Sequence, residues 1–386
     1  MKILLIHTNY TQRGGEDVVV QQEMELLQQH HQVNLLRFQN KSGAKGAFQF
    51  LAAIWNLAAA RKVRAAIKEF RPDVVHLHNW HFASGPIIIR TVKKMKLPLV
   101  HTVHNYRLLC PSAILLHNNQ LFTKSLQQHF PWSAISKGVY RNSSLQTWWL
   151  AFIVWFHKKI GTWKSIDKYV CLTPFAVELF NTSTFSVSPE KFTVKPNFTM
   201  PSSASSTTPK NNHFIYIGRL SEEKGIQLLL KAVEDTHIPL KIAGEGPLKH
   251  LVEKAAKQHS NIEYLGSLNQ KEVDLQLQQA QALVFPSICY EGMPMTILEA
   301  FSNGTPVIAS KIGAMSAIVN HQHNGLHFSA GNVAALQERL QHYQELPPQE
   351  KEKLQKNAFS TYLLHYSMDK QLTYFNNIYQ PLLSNA

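Results

Sequence analysis

Cysteine is scarce: Cys110, Cys171 and Cys289 are the only three in 386 residues, widely spaced and odd in number. Such a set specifies neither a disulfide framework nor a paired-cysteine metal site, and it suits a reducing compartment. No apolar run reaches the roughly 18–20 residues that a bilayer span requires. The opening "MKILLIHTNY" breaks at His7, too short for a signal-peptide core and closer to a first β-strand, so a cytoplasmic location is expected. Neither GxGxxG nor GxxxxGK[ST] occurs, which speaks against a dinucleotide cofactor and against a P-loop NTPase. Charged residues make up only 17% against 44% hydrophobic, a globular composition that excludes wholesale disorder. The length exceeds one ordinary core, so two domains are expected.

Acidic residues are unevenly missing. Residues 1–198 carry a net charge of +15, whereas 199–386 carry −1. A basic half beside a neutral half points to an anionic partner, with nucleic acid, a membrane surface and a phosphorylated substrate all open on charge alone. The basic residues are spread over several helices without an RNP-like or helix-turn-helix signature, which disfavours nucleic acid.

Short apolar strands alternate with amphipathic helices along the chain: "KILLIHTNY", "QVNLLRF", "DVVHLHN", "PLVHTVHN" and "DKYVCLT", then "HFIYIG", "LKIAG", "IEYLG", "ALVFPS" and "PVIAS". That alternation predicts parallel sheets covered on both faces. The Ser/Thr/Pro/Asn-rich 197–212 is the natural linker. The expected architecture is α/β, two Rossmann-like doubly wound domains facing a cleft. They span 1–197 with a C-terminal helix at about 366–386, and 213–365. Ligands in such sheets bind at the carboxyl ends of the strands.

Several segments carry chemistry. In "YEGMPMTILEAFSNGTPVIAS", Glu291 and Gly292 lie in a loop, followed by Met293 and by Pro294 where a helix begins, so the Met295 and Thr296 amides form an anion site. Glu299 falls one turn inside that helix. In "YIGRLSEEKG", Arg219 and Lys224 follow an apolar strand, where a planar fork and a point charge can neutralise a diphosphate. Gly14 and Gly15 allow close backbone approach at the first helix start. His104 ends another strand, placed to hydrogen-bond a sugar hydroxyl or handle a proton. The histidines of "HLHNWH" (His76, His78, His81) have no acidic or cysteine neighbour in sequence, so no metal is expected there. The nine apolar residues 148–156, ahead of Lys158 and Lys159, read equally as a core helix or an interfacial element, and the local charge tilts toward the membrane surface.

These motifs together, with "IAGEGPL", "RGGEDVVV" and "HTVHNYRLLCP", resemble family 4 of the retaining glycosyltransferases, which have the two-Rossmann GT-B fold; the signature is E-x7-E, here Glu291 to Glu299. The resemblance covers nearly the whole chain. It implies a nucleotide-sugar donor and a lipid-linked or polysaccharide acceptor in cell-surface glycan synthesis, with no metal and no other cofactor. It assigns the donor diphosphate to Arg219 and Lys224 and the distal phosphate or sugar to the Gly15 loop. It assigns the sugar hydroxyls to Glu291 and His104, and the ribose to Glu299. Relatives with "HNYRLLCP" often carry further cysteines over the next 40 residues; here only Cys110 remains, so no metal knuckle is expected. The absence of any DxD sequence agrees with a metal-free leaving group. The competing readings are an epimerase or hydrolase of nucleotide sugars on the same fold, and a basic nucleic-acid-binding protein.

Overall fold

The structure, a computed structural model, describes residues 1–11, 14–200 and 210–384. Most of the expected linker therefore lies outside the described residues. The chain divides into two compact units: residues 1–117, 122–197 and 369–386 form the first, and 118–121 with 198–368 form the second.

Along residues 1–197 the elements are β1 (Lys2–Asn9), α1 (Gly15–Gln28), β2 (Gln32–Gln39), α2 (Gly43–Ala52), α3 (Leu57–Phe70), β3 (Val74–Leu77), α4 (Ile87–Lys94), β4 (Leu99–Val103), β5 (Leu116–His117), β6 (Gln120–Leu121), α5 (Trp132–Lys137), α6 (Ser144–Lys159), β7 (Lys168–Cys171), α7 (Pro174–Asn181) and β8 (Phe192–Val194). The sheet runs β2-β1-β3-β4-β7-β8, and all its pairings are parallel. Its central strands β3 and β4 are buried at every position, as a sheet covered on both faces requires. The chain order reverses between β1 and β3, so this unit's crevice opens at their carboxyl ends.

The second unit continues with β9 (Phe214–Ile217), α8 (Ile226–Val233), β10 (Leu240–Ala243), α9 (Lys249–Gln258), β11 (Ile262–Gly266), α10 (Gln270–Gln279), β12 (Ala282–Phe285), α11 (Met295–Ser302), β13 (Val307–Ser310), α12 (Gly313–Ile318), β14 (Gly325–Phe328), α13 (Val333–Glu345) and α14 (Pro348–Thr361). Its sheet order is β11-β10-β9-β12-β13-β14, the dinucleotide-fold order, with its switch between β9 and β12. Those two strands share only two paired positions, Phe214 with Ala282 and Ile215 with Leu283. They part toward their carboxyl ends, where the loops after Ile217 and Phe285 must build the crevice. The helix expected from 294 begins at Met295, with Pro294 as its cap residue.

The last helix, α15 (Met368–Leu383), supplies residues 369–383 to the first unit. There Tyr379 Oη lies 2.6 Å from His76 Nδ1, and Gln371 Oε1 accepts from Lys195 Nζ at 3.3 Å. Lys195 is wholly buried, 2.7 Å from the equally buried Glu23 carboxylate and 4.6 Å above the Phe375 ring. Removing one partner of such a pair leaves an uncompensated charge in a dry core. Lys195→Ala is expected to destabilise the protein by roughly 3–5 kcal/mol, and Lys195→Met combined with Glu23→Leu to recover most of that loss in chemical denaturation.

Candidate active site

In the second unit the site is built by two loops held against each other. After β9, Gly218 leads through exposed Arg219 to a 3-10 turn at Glu222–Lys224, ended by Gly225. Gly225 has φ +72°, and a Cβ there would lie 2.0 Å from the Pro286 carbonyl. Only glycine lets this turn press so closely on the segment after β12. Ser287 Oγ and the Ile288 amide both donate to the Glu223 carbonyl at 3.0 Å, fixing the contact. The result is that Lys224 Nζ lies 2.7 Å from Glu291 Oε1 and 5.7 Å above the Phe285 ring. Ser287 Oγ lies 2.8 Å from the same carboxylate oxygen, so its single proton is shared between Glu291 and the Glu223 carbonyl. Burial opposes the charge on Lys224, but the Glu291 carboxylate outweighs it and holds the ammonium above the ordinary lysine range.

Gly292, Met293 and Pro294 carry the loop from Glu291 to α11. Pro294 offers α11 no side-chain cap, so the first-turn amides of Met295 and Thr296 have no intrahelical acceptor. They form a donor pair at the positive end of an eight-residue helix. Glu299, one turn further, is pushed up to about 7 by burial, with Asp274 adding to the effect and a Gln270 contact at 3.4 Å opposing it.

In the first unit His104 follows β4, its Nε2 3.1 Å from His78 Nδ1 and the two rings stacked at 5.4 Å. His76 stacks on His78 in turn at 4.4 Å. Burial, then the neighbouring His7 and Lys195, hold His104 well below the usual histidine range, so it is a neutral hydrogen-bonding group. The expectation that no acid stands near "HLHNWH" is corrected. Glu23, on the buried face of α1, points Oε2 at His78 Nε2 from 3.5 Å, and Glu23, His76 and His78 each place one ligand atom within 4.8 Å of the others. Sequence separation hid this partner, which only packing of α1 on the sheet brings in. Lys195 already supplies the positive charge that Glu23 balances, and both His76 nitrogens are engaged, by Tyr379 and by Thr102 at 2.7 Å. A metal would have to displace all three.

Gly14 caps α1, and its amide donates to the Asp17 carboxylate at 2.8 Å. Glu16 and Asp17 occupy the first turn, and Asp17 Oδ1 lies 2.9 Å from His7 Nε2. The Gly14 amide is therefore spent within the chain, and Gly15 opens a helix whose start is acidic. Burial, then Asp17, push the Glu16 carboxyl up to about 8, which limits that negative charge. His7 and Glu16 were not singled out from sequence. A signal for His7 was available, since it lies near the carboxyl end of an apolar strand, as His104 does.

Comparison with known proteins places this geometry. The model of Glycosyltransferase Family 4 matches residues 13–201, and that of Glycosyl transferases group 1 matches residues 202–361. The chain belongs to the family 4-type glycosyltransferases. Its two six-stranded parallel units are the GT-B fold. It is 31% identical over 153 residues to D-rhamnosyltransferase WbpZ of Pseudomonas aeruginosa, covering 39% of this chain and 40% of that protein. It is 33% identical over 116 residues to O-antigen chain mannosyltransferase C of Escherichia coli, covering 29% and 31%. The chain thus spans well under half the length of these relatives. Its fold matches that of Anabaena HepE, solved with UDP and glucose, at a TM-score of 0.67 and 16% identity over 98% of this chain and 99% of that one.

The raised Glu299 makes a prediction with a definite sign. Its folded form keeps a proton up to about 7, whereas the carboxyl's ordinary value is 4.5. Between those values the folded state binds more protons than the unfolded, so stability falls as pH rises through that window. Glu299→Gln is expected to flatten that fall in thermal midpoints measured across it; parallel profiles for the two proteins would refute the shift.

Proposed function

We propose that this glycosyltransferase moves a sugar, with retention at its anomeric carbon and without a metal, from a nucleotide-sugar donor to a glycan or lipid-linked acceptor in cell-surface glycan synthesis. The observation that carries the reading is Lys224, held protonated 2.7 Å from Glu291 beside the open N-terminus of α11. A leaving diphosphate develops charge that fixed cations and amides can stabilise without reorganising, usually the largest catalytic effect available. Arg219, Lys224 and the amides of Met295 and Thr296 serve that charge. In the second unit Glu291 holds hydroxyls of the transferred sugar and Glu299 takes the ribose; in the first unit His104 is a neutral hydrogen-bonding group suited to a sugar hydroxyl. Gly292, Met293 and Pro294 contribute backbone at the donor. The names of the relatives, a rhamnosyltransferase and an O-antigen mannosyltransferase, and HepE's binding of UDP and glucose, support the substrate classes.

The family resemblance favours front-face departure. The leaving phosphate then helps to deprotonate the acceptor hydroxyl. Lys224→Ala is expected to lower the transfer rate about 10²–10³-fold, the scale of losing one preorganised charge-stabilising group. Activity is expected to persist in excess chelator. Complete loss with EDTA, restored by magnesium or manganese, would overturn the metal-free mechanism.

The same reading brings the protein to an anionic membrane as a peripheral protein on the cytoplasmic face. No helix among the described residues is long and apolar enough to cross one. Helix α6 buries Leu150, Ala151, Ile153 and His157, and leaves Trp148 37% exposed. Along that other side Trp148 stacks on Phe152 at 5.4 Å, Phe152 meets Trp155 at 5.8 Å, and Lys159 lies 5.8 Å above Trp155. The core alternative holds for the buried face, and the aromatic face supports the interfacial proposal. Aromatic rings flanked by cations suit the headgroup level of a bilayer. In vesicle sedimentation, binding is expected with anionic lipid and not neutral lipid, weakening in high salt and on Trp148→Ser together with Phe48→Ser, an exposed side chain of α2. Equal binding to neutral vesicles, or none to either, would refute it.

A further inference from the structure

The first unit holds a cleft of about 780 Å³ that the donor assignments leave unused. Its walls are α2 and the start of α6. Gly46 brings α2 so close to the preceding loop that a Cβ there would lie 2.0 Å from the Lys41 carbonyl. Trp149 Nε1 then donates to the Phe50 carbonyl at 2.9 Å, tying the two helices together. Phe50 stacks on Tyr140 at 5.8 Å and closes the inner end. The walls are fixed, yet large apolar side chains stand in water around them: Phe48 is 73% exposed, Leu51 59% and Leu145 75%. Of these, Leu51 and Leu145 line the cleft itself, as does Trp148.

The inner end is cationic. Arg141 lies 5.2 Å above the Tyr140 ring and Arg107 5.9 Å, and Lys41 lines the same cleft. Arg107 Nε is buried with no hydrogen-bond partner. The nearby Glu16 is pushed up to about 8 and so compensates Arg107 only in part. Among the described residues no acid lines the cleft, and the sequence has none in residues 26–68 or 74–166. Arg107 and His81 also line the small pocket that contains His104, so the cationic end adjoins the sugar-handling residue.

An apolar trough that ends in two guanidinium groups, with Arg107 Nε buried and without a hydrogen-bond partner, matches an amphiphile with a phosphorylated head. A polysaccharide would instead require polar rims, where this cleft has leucine. We propose that the cleft binds the acceptor as a single-chain lipid phosphate or diphosphate, its chain along Leu51, Leu145 and Trp148 and its phosphates on Arg107 and Arg141. This rests on the glycosyltransferase reading above and narrows its acceptor to the lipid-linked class.

Calorimetric titration of the full chain with farnesyl diphosphate, farnesol and inorganic diphosphate tests the assignment, with nucleotide-sugar binding measured on the same samples. Farnesyl diphosphate is expected to bind at least about tenfold more tightly than either half alone, since chain burial and charge pairing both contribute. Leu145→Glu, Leu51→Glu and Arg141→Ala, all at exposed positions, are each expected to weaken it about tenfold while leaving nucleotide-sugar binding intact. Equal binding of inorganic diphosphate would reduce the cleft to an anion site and overturn the proposal, as would equal binding of farnesol, insensitivity to the variants, or no binding at all. Failure of the wild type to bind any nucleotide sugar would count against the function reading and leave the cleft result standing.

Discussion

Strands β9 and β12 share two paired residues and then part, and the second unit's chemistry is arranged around that parting. A parallel sheet delivers every strand's carboxyl end to one edge, and a reversal of chain order there leaves a gap that no crossover helix covers. Gly225 closes the gap to the width of a hydrogen-bonded loop pair, because only a residue without Cβ can lie against the Pro286 carbonyl. Lys224 then comes to Glu291 and the start of α11, which lie 67 and more residues further along the chain. The positive charge is held in place by a carboxylate that also faces the crevice, so it is oriented before any ligand arrives.

The first unit uses its own switch point differently. Between β1 and β3 it places imidazoles rather than cations: His7, His78 and His104 converge, with Glu23 and Lys195 beneath them. Burial keeps His78 and His104 neutral, and a neutral ring can both donate and accept. Such a surface suits hydroxyl groups, whereas the Lys224 surface suits phosphates. The buried Glu23–Lys195 pair ties α1 to the segment after β8, and Gln371 of α15 shares the ammonium. The imidazole cluster is thus supported by three parts of the chain distant in sequence.

Helices α2 and α6 carry Lys45, Lys158 and Lys159 of the basic residues of 1–198. The helices bury one face each and leave leucine and aromatic side chains beside cations on the other. A cell pays for such exposure in solubility unless something covers it, and the cleft between these helices ends where Arg107 and Arg141 meet Tyr140.

The sequence by itself determined the α/β class, the strand order's raw material and the loop chemistry, because these depend on local periodicity and on residues a few positions apart. Arg219 and Lys224 after an apolar strand, and Glu291 and Glu299 around a helix start, were legible for that reason. Tertiary structure alone decided that Lys224 pairs with Glu291, that Glu23 stands against His78, and that 148–156 serves the core on one side and faces water on the other. Each of those depends on contacts between segments tens to hundreds of residues apart, or on which side of a helix the neighbours cover. Periodicity within one segment carries no information about either.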